Sequence, residues 1–146
     1  SKMRQLIGTG IVVVNSTGQI LLGKRKNAYK SGTFGLPGGR LELGEPLTDS
    51  VKRELLEETS LVGLDFKYLG VVREWQGNYD FIHFAYLCTK FSGIPKVTEP
   101  EKCESWDWFP LNHLPQPLLP GHREVIKLYK RLTDRKPLYL VDLYKK

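Results

Sequence analysis

Two cysteines, one methionine and three histidines in 146 residues leave little material for soft-metal or thiol chemistry. Cys88 lies in a strand-like run and Cys103 in a polar loop, with no metal-ligand spacing around either. A zinc ribbon or finger is therefore excluded, and reduced thiols are expected. His113 and His122 have no His, Cys or Asp partner at ligand spacing and receive no role. No apolar run approaches the ~20 residues of a membrane span. The opening SKMRQ has no apolar h-region. A cytoplasmic protein with no membrane partner is the expectation. Internal repeats and low-complexity tracts are also lacking, so one domain is expected over residues 1–146, with a core of about 6–132 and a C-terminal extension of 133–146.

Acidic charge is scarce at one end of the chain. The net charge is +6. Residues 121–146 hold eight Lys/Arg against three Asp/Glu, and residues 1–120 hold 14 against 13. The basic character thus belongs to the C-terminal segment. Such a segment can meet nucleic acid or raise the local concentration of nucleotides. A solvated helix face is the simpler account, and nucleic acid is not the expected partner.

What the chain does have is one unusual stretch over residues 36–61, LPGGRLELGEPLTDSVKRELLEETSL. Gly38-Gly39 is a turn pair. Pro46 suits a first helical turn, where its missing N–H costs nothing. From there to Thr59 nothing interrupts a helix. At ~100° per residue Leu47, Val51 and Leu55 form an apolar stripe, with Glu54 at about −20°, Glu58 at about +20° and Glu57 at about −80°. Two carboxylates therefore point into or beside the face that should be buried. Glu54 and Glu58 are also a like-charge pair at i,i+4, which is destabilising. Only Glu57 has a cation at helical spacing, Arg53. Buried carboxylates need a partner, and a divalent cation with hard oxygen ligands such as Mg²⁺ would neutralise all three. The alternative is a solvated acidic helix with its apolar side elsewhere; the glycine loop in front argues against it.

Gly39, Glu45, Arg53, Glu54, Leu55, Glu57, Glu58 and Leu61 match the Nudix box, and the chain resembles the Nudix hydrolase superfamily. The one departure is Ser60, where the pattern has glycine. The flanking LLGKRK and EPEKCESWDWF segments resemble the MutT-like nucleotide triphosphate diphosphatases. The resemblance implies an α/β fold, an α/β/α sandwich with a mixed central β-sheet. It implies Mg²⁺, with Mn²⁺ as a substitute, and hydrolysis of a nucleoside diphosphate linked to a further group. A nucleoside triphosphate yielding monophosphate and pyrophosphate is the leading case. Glu57, Glu58, Glu54 and the carbonyl of Gly38 would hold metal. Glu54 would also orient or deprotonate water, Arg53 would hold Glu54 or its neighbours, and Glu45 would support them from behind. A glutamate ahead of the late aromatic strand would join the metal site from across the cleft. Glu101 and Glu104 both qualify, and Glu101 is preferred. Arg25, Gly39, His83 and Leu119 are assigned to the substrate, Leu119 within a Pro/Leu loop over the base.

Elsewhere, residues 6–14 and 19–25 read as strands joined by a turn at Asn15-Ser16-Thr17-Gly18, together a hairpin. Lys24, Arg25 and Lys26 cluster at its end. Residues 27–35 read as a loop and 64–73 as a strand. Residues 79–89, YDFIHFAYLCT, are apolar on both faces and should be a central strand. His83 lies within it, where a lone histidine is most often simply packed. Residues 105–109 form a short aromatic strand, residues 115–120 are non-helical, and 124–132 form an amphipathic helix. Residues 138–144 alternate like an extra strand, which leaves a homodimer open. Two rivals to the enzyme remain: a Nudix-fold binding module without turnover, and an RNA-binding or decapping protein. Among substrates an oxidised purine, a pyrimidine triphosphate and a prenyl diphosphate stay open.

Overall fold

A computed structural model describes residues 2–27, 30–132 and 140–143. The element order is β1 (Arg4–Val13), β2 (Ile20–Arg25), β3 (Phe34–Gly35), α1 (Leu47–Thr59), β4 (Val62–Gln76), β5 (Tyr79–Ser92), β6 (Cys103–Phe109), α2 (Pro120–Leu132) and β7 (Leu140–Leu143). Four strands form a mixed sheet in the order β1-β5-β4-β7, and three form a second sheet in the order β3-β2-β6. β5 is central. It runs parallel to β1, with Arg4 opposite Tyr79 and Val13 opposite Cys88. On its other edge it pairs antiparallel with β4, closed by a tight turn at Gly77 with φ 59°.

The period-2 alternation of these strands builds two cores, one on each face. Val12, Ile20, Leu22, Ala85 and Leu87 join Val125, Ile126 and Leu128 of α2. Ile11, Val13, Leu21, Tyr86 and Cys88 join Val51 and Leu55 of α1. Strands apolar on both faces thus lie between two helices, the α/β/α arrangement expected from the sequence.

Three local expectations are corrected. β1 and β2 do not form a hairpin: a single bridge, Val14 to Ile20, joins them before they part into different sheets. The turn itself exists, held by Asn15 Oδ1, which accepts from the Thr17 and Gln19 N–H groups at 3.1 and 2.9 Å. β1 instead spends its edges on β5 and on the glycine loop, so no edge is left for β2 beyond that bridge. α2 begins at Pro120, earlier than expected, because proline is tolerated at the first helical position. Pro46 stands just before α1 in an extended conformation, φ −61° and ψ 147°, and not within the first turn. Of the expected terminal strand, Leu140–Leu143 pairs parallel with β4. Residues 138, 139 and 144 lie outside the described residues, as do 28 and 29 of the loop before β3.

α1 ends at Ser60, which adopts the left-handed conformation, φ 66° and ψ 7°, and donates its N–H to Leu56 O at 2.9 Å. This is the job glycine usually does at a helix end. The last helical carbonyls are satisfied from outside the helix. Thr98 Oγ1 donates to Glu57 O at 2.5 Å and Glu58 O at 3.0 Å, and Trp106 Nε1 donates to Glu58 O at 3.1 Å. These bonds tie the acidic end of α1 to the loop before β6 and to β6 itself. Among the described residues no helix is long and apolar enough to cross a membrane.

Candidate active site

The glycine loop lies along the outer edge of β1. Thr9 donates its N–H to Gly39 O at 2.8 Å, Ile11 to Pro37 O at 2.9 Å, and Leu41 to Ile7 O at 3.0 Å. Gly38 has φ 152°, and a Cβ there would strike the Thr9 carbonyl. A Cβ at Gly39 would strike the Glu54 carboxylate. Gly38 is therefore required by close approach to the β1 backbone, and Gly39 lets the Glu54 carboxylate of α1 lie against the turn.

Arg53 is the hub of the acidic helix. Its Nε and Nη2 donate to the two oxygens of Glu45 at 2.6 and 2.9 Å. Its Nη1 donates to Glu54 Oε1 at 2.7 Å and Glu57 Oε2 at 3.1 Å. Nη2 also donates to the Arg40 carbonyl at 3.2 Å, which fixes the glycine loop to α1. Helical spacing alone paired Arg53 only with Glu57. Glu54 does have a cation after all, because the long guanidinium folds back onto its sequence neighbour. The Arg53 bonds hold Glu45 down to about 2, with burial opposing them. The same bonds push the Arg53 guanidinium well above its ordinary range.

Glu58 faces the other way. It is the most enclosed of the set, and its Oε1 accepts the Gly38 N–H at 2.8 Å. Burial pushes its carboxyl up to about 8, with the Glu54 and Glu99 charges adding to the rise and the Gly38 bond opposing it. Burial also raises Glu54, opposed by Arg53. Two half-compensated carboxylates thus flank one glycine turn, a situation that a cation would relieve.

A cavity of about 300 Å³ opens here. Its lining includes Gly38, Gly39, Glu58, Arg4, Arg25 and Arg40. Tyr79, Phe81, His83, Glu74, Leu119 and His122 also line it. His122 is buried, and its Nδ1 accepts the Leu36 N–H at 2.8 Å, so the neutral ring carries its proton on Nε2. A smaller neighbouring cavity shares Arg25, Leu36 and Glu58 and adds Glu99, Lys102, Cys103 and Trp106.

The expected site residues fall into three groups. Gly38, Gly39, Glu58, Arg25, His83 and Leu119 share the larger cavity. Glu54, Arg53 and Glu45 stand behind its glycine wall. Glu57 is 58 % exposed and turned toward Arg53. Glu101 is exposed and lines neither cavity. Glu104 pairs with Lys24 at 3.4 Å on the surface. Glu99 lines the smaller cavity and acts on Glu54 and Glu58, a residue the sequence reading passed over. Three glutamates within six positions, Glu99, Glu101 and Glu104, offered no spacing rule to choose among them. Glu74, too, gave no signal. Among the described residues no three acidic, His or Cys side chains converge on one point. Arg53 gathers the carboxylates of Glu54 and Glu57 to itself, away from Glu58. The donors available are nonetheless all hard oxygens beside the half-compensated Glu58 carboxylate, which fits Mg²⁺ or Mn²⁺.

The model of the NUDIX domain matches residues 4–129 of the chain. This protein belongs to the NUDIX family. It is 35 % identical over 123 residues to an ADP-ribose pyrophosphatase of Methanocaldococcus jannaschii, covering 82 % of this chain and 70 % of the relative. It is 28 % identical to an RNA pyrophosphohydrolase of Rhodopseudomonas palustris, over 85 % and 82 % of the two chains. A MutT NUDIX hydrolase from Burkholderia pseudomallei superposes with a TM-score of 0.81 at 36 % identity, over 86 % of this chain and 98 % of that one. The chain is thus a MutT-like Nudix hydrolase, an enzyme of the pyrophosphohydrolase kind.

Proposed function

We propose that this Nudix hydrolase cleaves a nucleoside triphosphate to the monophosphate and pyrophosphate. The observation that carries this reading is one cavity whose lining joins aromatic rings to the glycine turn, Glu58 and three arginines, Arg4, Arg25 and Arg40. A nucleotide needs both ends: rings to stack on, and cations for its phosphates.

Glu58, Glu54, the Gly38 carbonyl and, after turning from Arg53, Glu57 would hold Mg²⁺ or Mn²⁺, with Glu99 in place of Glu101 as the donor from the opposite wall. The metal, when bound, supplies charge neutralisation at the phosphate oxygens and a more acidic water. The chain's own groups do the rest. Arg25 and Arg40 bind phosphate oxygens. Glu54, raised by burial, takes up the proton of the attacking water. Arg53 fixes Glu54, and Glu45 fixes Arg53. Tyr79, Phe81 and Leu119 hold the base and so set which phosphorus meets the water. Arg25, which lines both cavities, stabilises the outgoing pyrophosphate.

A second reading, another diphosphate-linked nucleotide, is favoured by the 35 % identity to the archaeal relative. One experiment separates them. A panel of nucleoside triphosphates, ADP-ribose and a 5′-triphosphorylated oligonucleotide is incubated with the enzyme and Mg²⁺, and the products are resolved by chromatography. Monophosphate plus pyrophosphate from a triphosphate is expected. Nucleoside diphosphate plus orthophosphate would exclude the proposed cleavage.

A further inference from the structure

The inner wall of the cavity holds a carboxylate that the reaction does not use. Glu74 on β4 is 5 % exposed and lines the cavity. Its Oε1 meets His83 Nε2 at 3.4 Å, a long contact. Its Oε2 is buried and has no hydrogen-bond partner. A buried oxygen left in this state costs stability, and such groups in folded proteins call for a reason. The first turn of α2 packs directly against it: a Cβ on Gly121 would come within 2.5 Å of Glu74 Oε1 and 2.8 Å of His83 Nε2, so the glycine is what lets the carboxylate and the ring stand there.

Beside Glu74 runs a ladder of rings. Tyr79 stacks on Phe81 with centroids 5.4 Å apart, and Phe81 on His83 at 5.7 Å. These residues alternate along one face of β5, and Glu74 stands directly across from Phe81 in the sheet register. A planar base laid on the ladder turns an edge toward Glu74. The last torsion of a glutamate is broad, so a small turn presents either oxygen.

The chemistry of that edge is restricted. An ionised carboxylate accepts hydrogen bonds and donates none. Adenine and cytosine place a ring-nitrogen acceptor next to their amino donor, and uracil flanks its N–H with two carbonyls; each brings a lone pair against the carboxylate. A 2-amino-6-oxopurine offers two adjacent donors, the ring N1–H and the 2-amino group. We propose that Glu74 reads the base, and that it selects nucleotides carrying a 2-amino-6-oxopurine. This rests on the reading that the cavity takes a nucleoside polyphosphate. His83 holds Oε1 and leaves Oε2 for the second donor. The selection is strong because the mismatched edge both loses a bond and buries a repulsion.

The test compares GTP with ITP, which lacks only the 2-amino group, in the wild type and in Glu74→Gln. The wild type is expected to favour GTP in kcat/KM by about 10–100-fold, the worth of a hydrogen bond to a charged group. In Glu74→Gln that ratio should collapse toward one. Equal efficiency for GTP and ITP in the wild type, or an unchanged ratio with both falling together in the variant, overturns the proposal. If Glu74→Gln does not fold, as its melt would show, Glu74→Asp withdraws the carboxylate by one methylene, and the ratio should fall there instead. Calorimetric binding of GMP against IMP in metal-free buffer gives the same comparison without turnover. Should no triphosphate be cleaved, the proposed reaction fails, and tighter binding of GMP than IMP still decides the role of Glu74.

Discussion

Arg53 grips Glu45 with a two-pronged hydrogen bond, 2.6 Å from Nε and 2.9 Å from Nη2, across eight residues of sequence. The remaining prong, Nη1, reaches Glu54 and Glu57. One planar cation therefore sets the position of the proposed base through a fork that only a guanidinium can form. Arg53→Lys keeps the charge and loses the fork. It is expected to cost about 10–100-fold in kcat, the usual effect of removing a partner that orients a metal-site group, with little change in KM. Steady-state kinetics read both.

The same fork makes a prediction in pH. Glu45 is held at about 2 in the folded protein, below its ordinary 4.5, so the unfolded chain takes up a proton first as pH falls. The stability this carboxylate contributes is fully present above about pH 4.5 and is lost as pH drops toward 2. Melting temperatures between pH 6 and pH 2 should fall less steeply in Glu45→Gln than in the wild type. A parallel decline in the two proteins would show that the fork contributes nothing to the acid limb.

Much of this arrangement was legible in the sequence. The spacing of Leu47, Val51 and Leu55 placed the buried face of α1, and Glu58 does point toward the enclosed side. The apolar residues on both faces of β5 announced a strand between two helices. What escaped has a common cause: it depends on partners distant along the chain. The turn at Asn15 is local and was seen, while the pairing of β1 with β5 depends on residues about 75 positions away. The Arg53–Glu54 bond breaks the rule that adjacent helical residues do not meet, because a long side chain can curl. Glu99 and Glu74 are ordinary surface residues by composition and gain meaning only from the cavities they line.

Ser60 occupies a left-handed position where the family pattern has glycine. A non-glycine residue there costs roughly 1–2 kcal/mol, partly offset by the greater unfolded-state freedom of glycine, roughly 0.5–1 kcal/mol. Ser60→Gly should leave stability unchanged or raise it by about 1 kcal/mol. Chemical denaturation measures this directly. Activity should hardly move, since Ser60 donates only a backbone N–H to Leu56 O, which glycine keeps.

His122 is buried, and its Nδ1 accepts the Leu36 N–H, so a second proton would face a donor. Burial holds its pKa well below the ordinary 6.5, with the His83 and Arg25 charges pressing it further down. The unfolded chain binds a proton below about pH 6.5 and the folded chain does not, so stability is lost on acidification through that range. His122→Gln should melt lower at pH 7.5 but lose less between pH 7.5 and 5.5. A variant that tracks the wild type in slope would exclude His122 as the source.

Glu58 behaves in the opposite sense. Its carboxyl is pushed up to about 8, above the ordinary 4.5, chiefly by burial. In the absence of metal the folded protein must hold this group protonated or bear a buried charge. The stability it allows is present below about pH 4.5 and is lost as pH rises through 8. Across pH 5 to pH 8.5 the metal-free wild type should therefore lose ground to Glu58→Gln, the melting temperature of the variant minus that of the wild type rising with pH. Mg²⁺ changes the balance, because a cation that binds the ionised group and only the folded chain raises the melting point by mass action. Adding Mg²⁺ at pH 8 should raise the melting temperature of the wild type and leave Glu58→Gln nearly unaffected. Turnover should be almost abolished in that variant even though it is the more stable protein without metal. Glu57→Gln should also lose most turnover, but without a stability gain, since Glu57 is exposed and already paired with Arg53. If Glu58→Gln kept its activity at saturating Mg²⁺, the buried carboxylate would be a structural oddity, and the metal would have to be sought elsewhere.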